Sequence, residues 1–467
     1  MYPPYGHGTV MITRDRAFYK TYFSLLLFVA AQNLLSYSVS LLDNVMLARY
    51  SSDALNGAAL ANQIQFLLQM VVTAAGEGVA VISSQYWGAK KLRPIYPVFS
   101  AGLCTSLTLG LLFFTAVSAF PGGILRLLSE ETQIVDAGCD YLKIIRFTYP
   151  VWCFSTVLLA TQRSVENARI GFIVMLLSLF LNLLLNYCLI FGRLGMPEMG
   201  IRGAAVATLI ARCFELSIAL IYSLKIDKKL RLTPKNALRF DRVLWKDYFR
   251  HATPIMLGGA SWGIAMFIQT SIVGHMGGDV ISANSLALSL FAVISVFAYG
   301  GGSAAGVMTG KIVGSGDLSR LKEYVTTMQL LFLATGIVTG LMILCVRGPV
   351  IRLYSLDSED AVRYAGQFVL VLSVTSVGTS YQAPCLTGIV RGGGNTRFVF
   401  LNDLVFQWGV VLSFALMAAY WWKLPPVWVF FILKSDQLIK CTVAVFVVNR
   451  YRWIRVLTNK EKMNGQV

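Results

Sequence analysis

The chain has 467 residues, 56% of them hydrophobic and only 13% charged, with a mean hydropathy of +0.64. Soluble domains carry roughly 25% charged residues, so the composition excludes a string of ordinary soluble domains and calls for lipid as the outer solvent. The net charge of +17 does not indicate a nucleic-acid binder, because the Lys and Arg residues fall in alternate short loops between apolar runs, which is a topology signal.

The N-terminal stretch MYPPYGHGTVMITRDRAFYK lacks the short apolar core and cleavage site of a signal peptide and is expected to stay cytoplasmic. A membrane helix needs about 20 apolar residues, and about twelve such runs follow. In the first, SVSLLDNVMLA (38–48), Asp43 is the one formal charge between Thr21 and Ala48. A carboxylate at mid-bilayer costs about 2.5–3.5 kcal/mol, so it is expected to face a cavity, hold a cation or take a proton. Arg49, six residues on, lies about 9 Å further along a helix and about 120° around it, which argues against a direct pair.

The second run, 54–89, exceeds what a bilayer needs and is expected to tilt or protrude. It carries Glu77 in the glycine-rich AAGEGVAV, a candidate for lining a cleft or helping to bind a cation. In the fifth run, 170–192, Asn182 and Asn186 share one helix face. Their amide oxygens, the Asp43 carboxylate and the Thr208 hydroxyl of the sixth run suit a hard cation; asparagines that merely hydrogen-bond neighbouring helices would look the same. Arg212 and Glu215, three apart, are expected to pair.

The strongly basic 225–250 segment separates two halves. Beyond it lie runs at 252–274, 280–310, 364–390 and 398–422, the last broken by Asp403, read as a second cation-recognition point or as the partner of Lys434. Asp436, in KSDQLIK, reads as part of a packed ionic cluster, and Trp421, Trp422 and Trp428 as an interfacial belt. Basic loops follow the even-numbered runs, which predicts an even number of crossings with both termini cytoplasmic.

The halves repeat. A single ungapped shift of 226 residues places Asp53 on Asp279, Gly76 on Gly302, Gly88 on Gly314, Arg126 on Arg352, Ser129 on Ser355 and Phe172 on Phe398. Two parallel six-helix lobes related by an axis along the membrane normal are therefore expected. The predicted organisation is an N-terminal tail (1–18), a first lobe (19–225), a linker (226–245), a second lobe (246–455) and a C-terminal tail (456–467). The shift maps Asp43, Asn182 and Asn186 onto Gln269, Trp408 and Leu412, so any carboxylate-dependent coupling belongs to the first lobe alone.

The stretches DNVMLARYSSDALNGAALA, SSQYWGAKK, NLLLNYCLIFG, GIRGAAVATLIAR, SIVGHMGGDVISANSLA and GIVRGGGNTRF, in this order, resemble the multidrug and toxic compound extrusion (MATE) family over nearly the whole chain. The resemblance implies an all-α membrane protein of twelve transmembrane helices in two lobes. It implies an antiporter that exports organic, often cationic, compounds against inward Na⁺ or H⁺ flow, with a first-lobe ion site at positions matching Asp43, Asn182, Asn186 and Thr208. Two departures bear on substrate charge: Gly258 and Gly259 stand where many bacterial members carry an acid on the seventh helix, and Asn395 where another acid is often found.

An interlobe cleft would bind flat or cationic molecules by burial and cation–π contact, with Tyr37, Gln65, Gln69, Glu77, Trp262, Met266, Tyr299, Tyr381 and Asp403 as candidate lining. The competing reading is a flippase for a lipid-linked or polysaccharide precursor, for which extra helices and a strongly cationic cavity are expected. An enzyme is disfavoured: the three histidines, His7, His251 and His275, lack metal-site spacing, and the sequence has no HExxH, GxSxG or Walker motif. The expectation is a monomeric, cofactor-free carrier of a bacterial inner membrane, whose partners are its small-molecule substrate, the coupling ion and lipid, without nucleic acid.

Overall fold

The structure, a computed structural model, describes residues 12–354, 356 and 358–458. The outer parts of both tails, His7 and Ser355 lie outside the described residues. In chain order the first lobe comprises α1 (Arg16–Tyr50), α2 (Ser52–Gly88), α3 (Ile95–Ala119), α4 (Pro121–Arg126), α5 (Thr132–Ile145), α6 (Thr148–Ser164), α7 (Arg169–Phe191) and α8 (Ile201–Ile221). A short α9 (Pro234–Ala237) lies in the linker. The second lobe comprises α10 (Arg242–Gly274), α11 (Gly278–Ser315), α12 (Leu318–Tyr354), α13 (Glu359–Ala383), α14 (Thr396–Leu404), α15 (Ser413–Leu416) and α16 (Pro426–Arg450). Wider π-helical stretches continue α13 and join α14, α15 and the 417–421 segment into one span.

Ten of these continuous spans are long and apolar enough to cross a membrane, and α5 with α6, bent by 55°, makes an eleventh. The twelfth is α16, whose apolar face is interrupted by Lys434, Asp436 and Lys440. The predicted long helices are α2 and α11, of 37 and 38 residues. The repeat extends to element boundaries, because α1 and α10 start 226 residues apart, as do α2 and α11. Local chemistry explains the starts: Asp15 and Asp241 cap α1 and α10 by accepting backbone N–H bonds, and Ser51 caps α2. Leu27, Leu111, Leu112, Phe180, Val338 and Leu341 are among many large apolar side chains left exposed, the outer surface of a protein solvated by lipid.

The lobes exchange their first helices at the linker end. Phe18, Tyr22 and Leu25 of α1 are buried among Met308, Phe332 and Leu386 of the second lobe. Leu244, Tyr248 and Ala252 of α10 are buried among Val79, Phe99 and Val157 of the first. Further along, each helix returns to its own lobe, Leu47 beside Leu68 and Leu142, and Ile272 beside Phe368 and Phe430. Between these ends α1 exposes Leu34, Tyr37 and Leu41, and α10 exposes Trp262 and Ile264.

Also at the linker end, α2 and α11 cross backbone to backbone. A Cβ on Gly88 would stand 1.9 Å from Lys311 O, and one on Gly314 would stand 1.9 Å from Gln85 O. These contacts are reciprocal under the 226-residue shift, so the crossing lies on the pseudo-axis. Gln85, fully buried, accepts from Leu457 N (3.0 Å) and donates to Arg455 O (3.2 Å) and Gly392 O (3.3 Å). Lys311 pairs with Glu166 of the other lobe at 2.7 Å.

The linker belongs physically to the first lobe. Tyr96 Oη donates to Leu230 O, Gln162 Nε2 to Asp227, and Lys229 Nζ to Val165 O and Glu166 O. Leu230 and Leu232 are buried beside Ile95 and Val98.

Gly88→Val and Gly314→Val are expected to force this crossing apart. Ser84→Cys, placed at a fully buried position in a background without exposed native thiols, should then react with a thiol reagent that it excludes when both glycines are intact. Gln85→Ala should lower the melting midpoint in detergent, at about 1–3 kcal/mol for each buried backbone group left unpaired.

Candidate ion and substrate site

Gly203 brings the first-lobe site together. A Cβ there would lie 2.4 Å from Leu189 O, so only glycine lets α8 settle onto α7 at this depth. Thr208 consequently reaches Asn182, whose Nδ2 donates to Thr208 Oγ1 at 3.4 Å. On the same face of α7, Asn186 Nδ2 donates to Asn182 Oδ1 (3.2 Å) and, in a short hydrogen bond, to Asp43 Oδ1 of α1. Asp43, Asn182, Asn186 and Thr208 therefore form one cluster across three helices, and Arg49 takes no part in it. Asn182 and Asn186 are buried, Asp43 and Thr208 half-buried.

One atom of the cluster is left over. Asn186 Oδ1 is buried with no hydrogen-bond partner among the described residues, a costly condition in a dry interior. With the Asp43 carboxylate beside it, the cluster offers oxygen donors and one negative charge. No group of three or more His, Cys, Asp or Glu side chains suited to a metal occurs among the described residues. A donor set with a single carboxylate suits a monovalent cation or a proton better than a divalent metal. Tyr141, buried on α5, completes the wall with its hydroxyl beside Thr208. Nothing in the chain's pattern singles it out, since a tyrosine on an amphipathic helix reads as packing.

Glu77, Arg212 and Glu215 of this lobe are paired. Arg212 and Glu215 meet at 2.6 Å, as their spacing predicts, and Ser155 Oγ donates to Glu215 at 2.9 Å. Glu77 is held by Arg163 at 2.5 Å. Both pairs border a polar cavity with about 790 Å³ of free space, counting its open mouth, lined in part by Gln32, Asn33 and Ser36 of α1, Gln69 and Thr73 of α2, and Trp152 and Thr156 of α6. Gln69 was expected at such a site. The α1 trio was not, although three polar residues within little more than one turn of an apolar run are the signal that finds it.

The remaining cleft candidates scatter. Gln65 is half-buried one turn before Gln69. Tyr37 and Tyr299 lie near each other across the lobes, both well exposed. Trp262 packs near Phe66, with ring centroids 6.3 Å apart, and Met266 borders a separate second-lobe pocket. Tyr381 sits away from the cleft, in a packed cluster, its hydroxyl donating to Gln329 at 2.8 Å. Asp403 pairs with Lys440 at 3.0 Å rather than with Lys434; the two lysines are six residues apart on α16, about 120° in azimuth, and Lys440 is on the side that faces Asp403. Asp436 joins the same lysine at 3.2 Å, which makes the expected ionic cluster. At the counterparts of Asn182 and Asn186, Trp408 donates to Ser261 and Leu412 is core, so the second lobe carries no copy of the cluster.

Comparison with known proteins agrees with this architecture. The chain is 24% identical over 435 residues to the probable multidrug resistance protein NorM of Thermotoga maritima, covering 90% of each chain. It is 22% identical over 368 residues to the probable multidrug resistance protein YoeA of Bacillus subtilis, covering 78% of this chain and 79% of that one. Among solved structures, an outward-facing multidrug resistance MATE family transporter of the MOP superfamily superimposes with a TM-score of 0.84 at 18% identity, over 94% of this chain and 98% of the other. A MATE crystallised in complex with MaL6 gives 0.83 at 18% identity, over 92% and 95%. The MatE family model matches residues 29–188 and 254–414, one segment in each lobe and most of the chain together, and the chain belongs to the MatE family of membrane transporters.

Proposed function

We propose that this protein is a secondary antiporter that exports small organic compounds, in the manner named for its NorM-type relatives, in exchange for Na⁺ or H⁺ taken up at Asp43. The observation that carries the reading is the Asp43–Asn186–Asn182–Thr208 cluster: a lone carboxylate in a membrane span, beside a buried amide oxygen without a partner. An intramembrane acid in such a setting is a functional group by default. The polar cavity bounded by Gln69, Trp152 and Arg163 is the neighbouring place for substrate.

In this mechanism the linker end faces the cytoplasm, as the basic loops favour, and the structure corresponds to a state sealed there by the α2–α11 crossing. A cation or proton arriving from outside binds Asp43 and removes its charge. Asp43 lies on α1, whose two ends are packed in different lobes. Neutralisation therefore changes the balance of forces on a helix common to both lobes, which favours substrate release and the opposite swing. Substrate entering from the cytoplasm reverses the cycle.

The test is efflux of a fluorescent organic cation from proteoliposomes under separately imposed Na⁺ and pH gradients. Asp43→Asn should lose coupled efflux by about tenfold or more, equivalent to about 1.4 kcal/mol or more of differential binding, with an unchanged melting midpoint. Normal coupled transport by that variant would overturn the reading. Asn186→Leu, which imports the second lobe's residue, separates the two ions. If Na⁺ is the coupling ion, the Na⁺ concentration for half-maximal efflux should rise by about tenfold, because an oxygen ligand is gone; if H⁺ is, transport should persist with a displaced pH profile.

A further inference from the structure

The second lobe's pocket, on whose wall Met266 lies, is lined by Gln269 and Thr270 of α10, Asn284 of α11, and Phe430 and Lys434 of α16. Under the 226-residue shift, Gln269 stands at the position of Asp43, and Lys434 at the position of Thr208. The lobes have thus brought equivalent positions together with the polarity reversed. An amide replaces the carboxylate, and an ammonium replaces the hydroxyl.

The donors in this pocket are free to act. Gln269 and Asn284 are each only 8% exposed, yet neither side chain has a hydrogen-bond partner among the described residues. Both residues line the open pocket, so their amide groups are available to a ligand there. Lys434 forms no ion pair among the described residues; its ammonium lies over the rings of Phe291 and Phe430, 5.6 and 5.9 Å from their centroids. Its nearest acids are already engaged. Asp436 is held by Lys440 at 3.2 Å and by Gln437 at 2.9 Å, and Asp403 by Lys440 at 3.0 Å. Asp403 and Asp436 against Lys440 leave one net negative charge, which Lys434 balances, so the four groups together are neutral.

We propose that this pocket binds a small anionic group through Lys434, Gln269 and Asn284. An ammonium and two amide NH₂ groups suit the oxygens of a carboxylate or similar oxyanion. The enclosed room is that of about one water molecule and the pocket opens outward, so a ligand would place a single anionic oxygen inside, the rest of it lying in the open mouth. The proposal rests on the transport reading above and deepens it: the exported compounds include carboxylate-bearing and zwitterionic ones, in keeping with the missing acids at Gly258, Gly259 and Asn395.

The test reads binding rather than transport, so that it stays separable from ion coupling. Purified wild type, Lys434→Gln and Lys434→Arg are titrated with a zwitterionic rhodamine bearing a free carboxylate and with its ethyl ester. In parallel, melting midpoints are recorded with and without sodium phosphate. Lys434→Gln should weaken the carboxylate dye by about tenfold while the ester binds both proteins alike, and Lys434→Arg should keep the preference. If the dyes are not distinguished but phosphate stabilises the wild type and not Lys434→Gln, the pocket holds a free inorganic anion, which still supports the site. Equal effects on both dyes, or none, together with no lysine-dependent phosphate stabilisation, overturn the proposal. Failure of either dye to bind the wild type counts against the transport reading, and the phosphate measurement then decides the pocket alone.

Discussion

The structure depends on one steric constraint, the contact of α2 and α11 at the pseudo-axis. Backbones can approach so closely only where Cβ atoms are absent, and the positions that must lack them are Gly88 and its repeat mate Gly314. Because the contact lies on the symmetry axis, each glycine receives the backbone beside the other, and one duplicated residue supplies both halves of the interface. The exchanged starts of α1 and α10 close around this point and bury large aromatics on either side. The linker end is therefore the tightest region of the molecule, and the first-lobe cluster lies on α1 beyond it, where that helix has left the partner lobe.

The lobes are copies in backbone and opposites in chemistry. The first holds a carboxylate among amides. The second carries tryptophan and leucine at the asparagine positions and has its charges where α14 meets α16, Asp403 and Asp436 sharing Lys440. Duplication gives two scaffolds at the same depth, and divergence lets each take a different charge.

Much of this was legible in the sequence because a membrane makes polar groups costly. Asp43, Asn182 and Asn186 stood out in apolar runs, and the structure joins them. The repeat was legible because an ungapped shift preserves glycines at close contacts. The last span was harder to define, since the charges of α16 lower its hydropathy although Lys440 pairs with its one acid, Asp436, within the fold. Which lysine Asp403 meets depended on the rotation of α16, a quantity composition does not carry. The helix exchange between lobes was also hidden, because a face buried in protein and a face turned to lipid both call for apolar residues. Tyr141 escaped for a related reason, since nothing local distinguishes a polar group that lines a cavity from one that bonds to a neighbouring helix; the trio on α1 is marked by its clustering in an apolar run, though not as a cavity wall.

The docked linker has a kinetic consequence. From Asp227 to Leu232 it is fixed to the first lobe by hydrogen bonds and two buried leucines, so the two halves are joined by a tether whose free length is only the few residues before α10. A short tether keeps its ends at an effective concentration of about millimolar or more. In the cycle proposed above, the halves would meet again after each separation as parts of one molecule, at a rate independent of how many copies the membrane holds. Their mutual affinity could then stay weak enough to be broken once per cycle, a demand to which an interface built on glycine backbones rather than large side chains is suited.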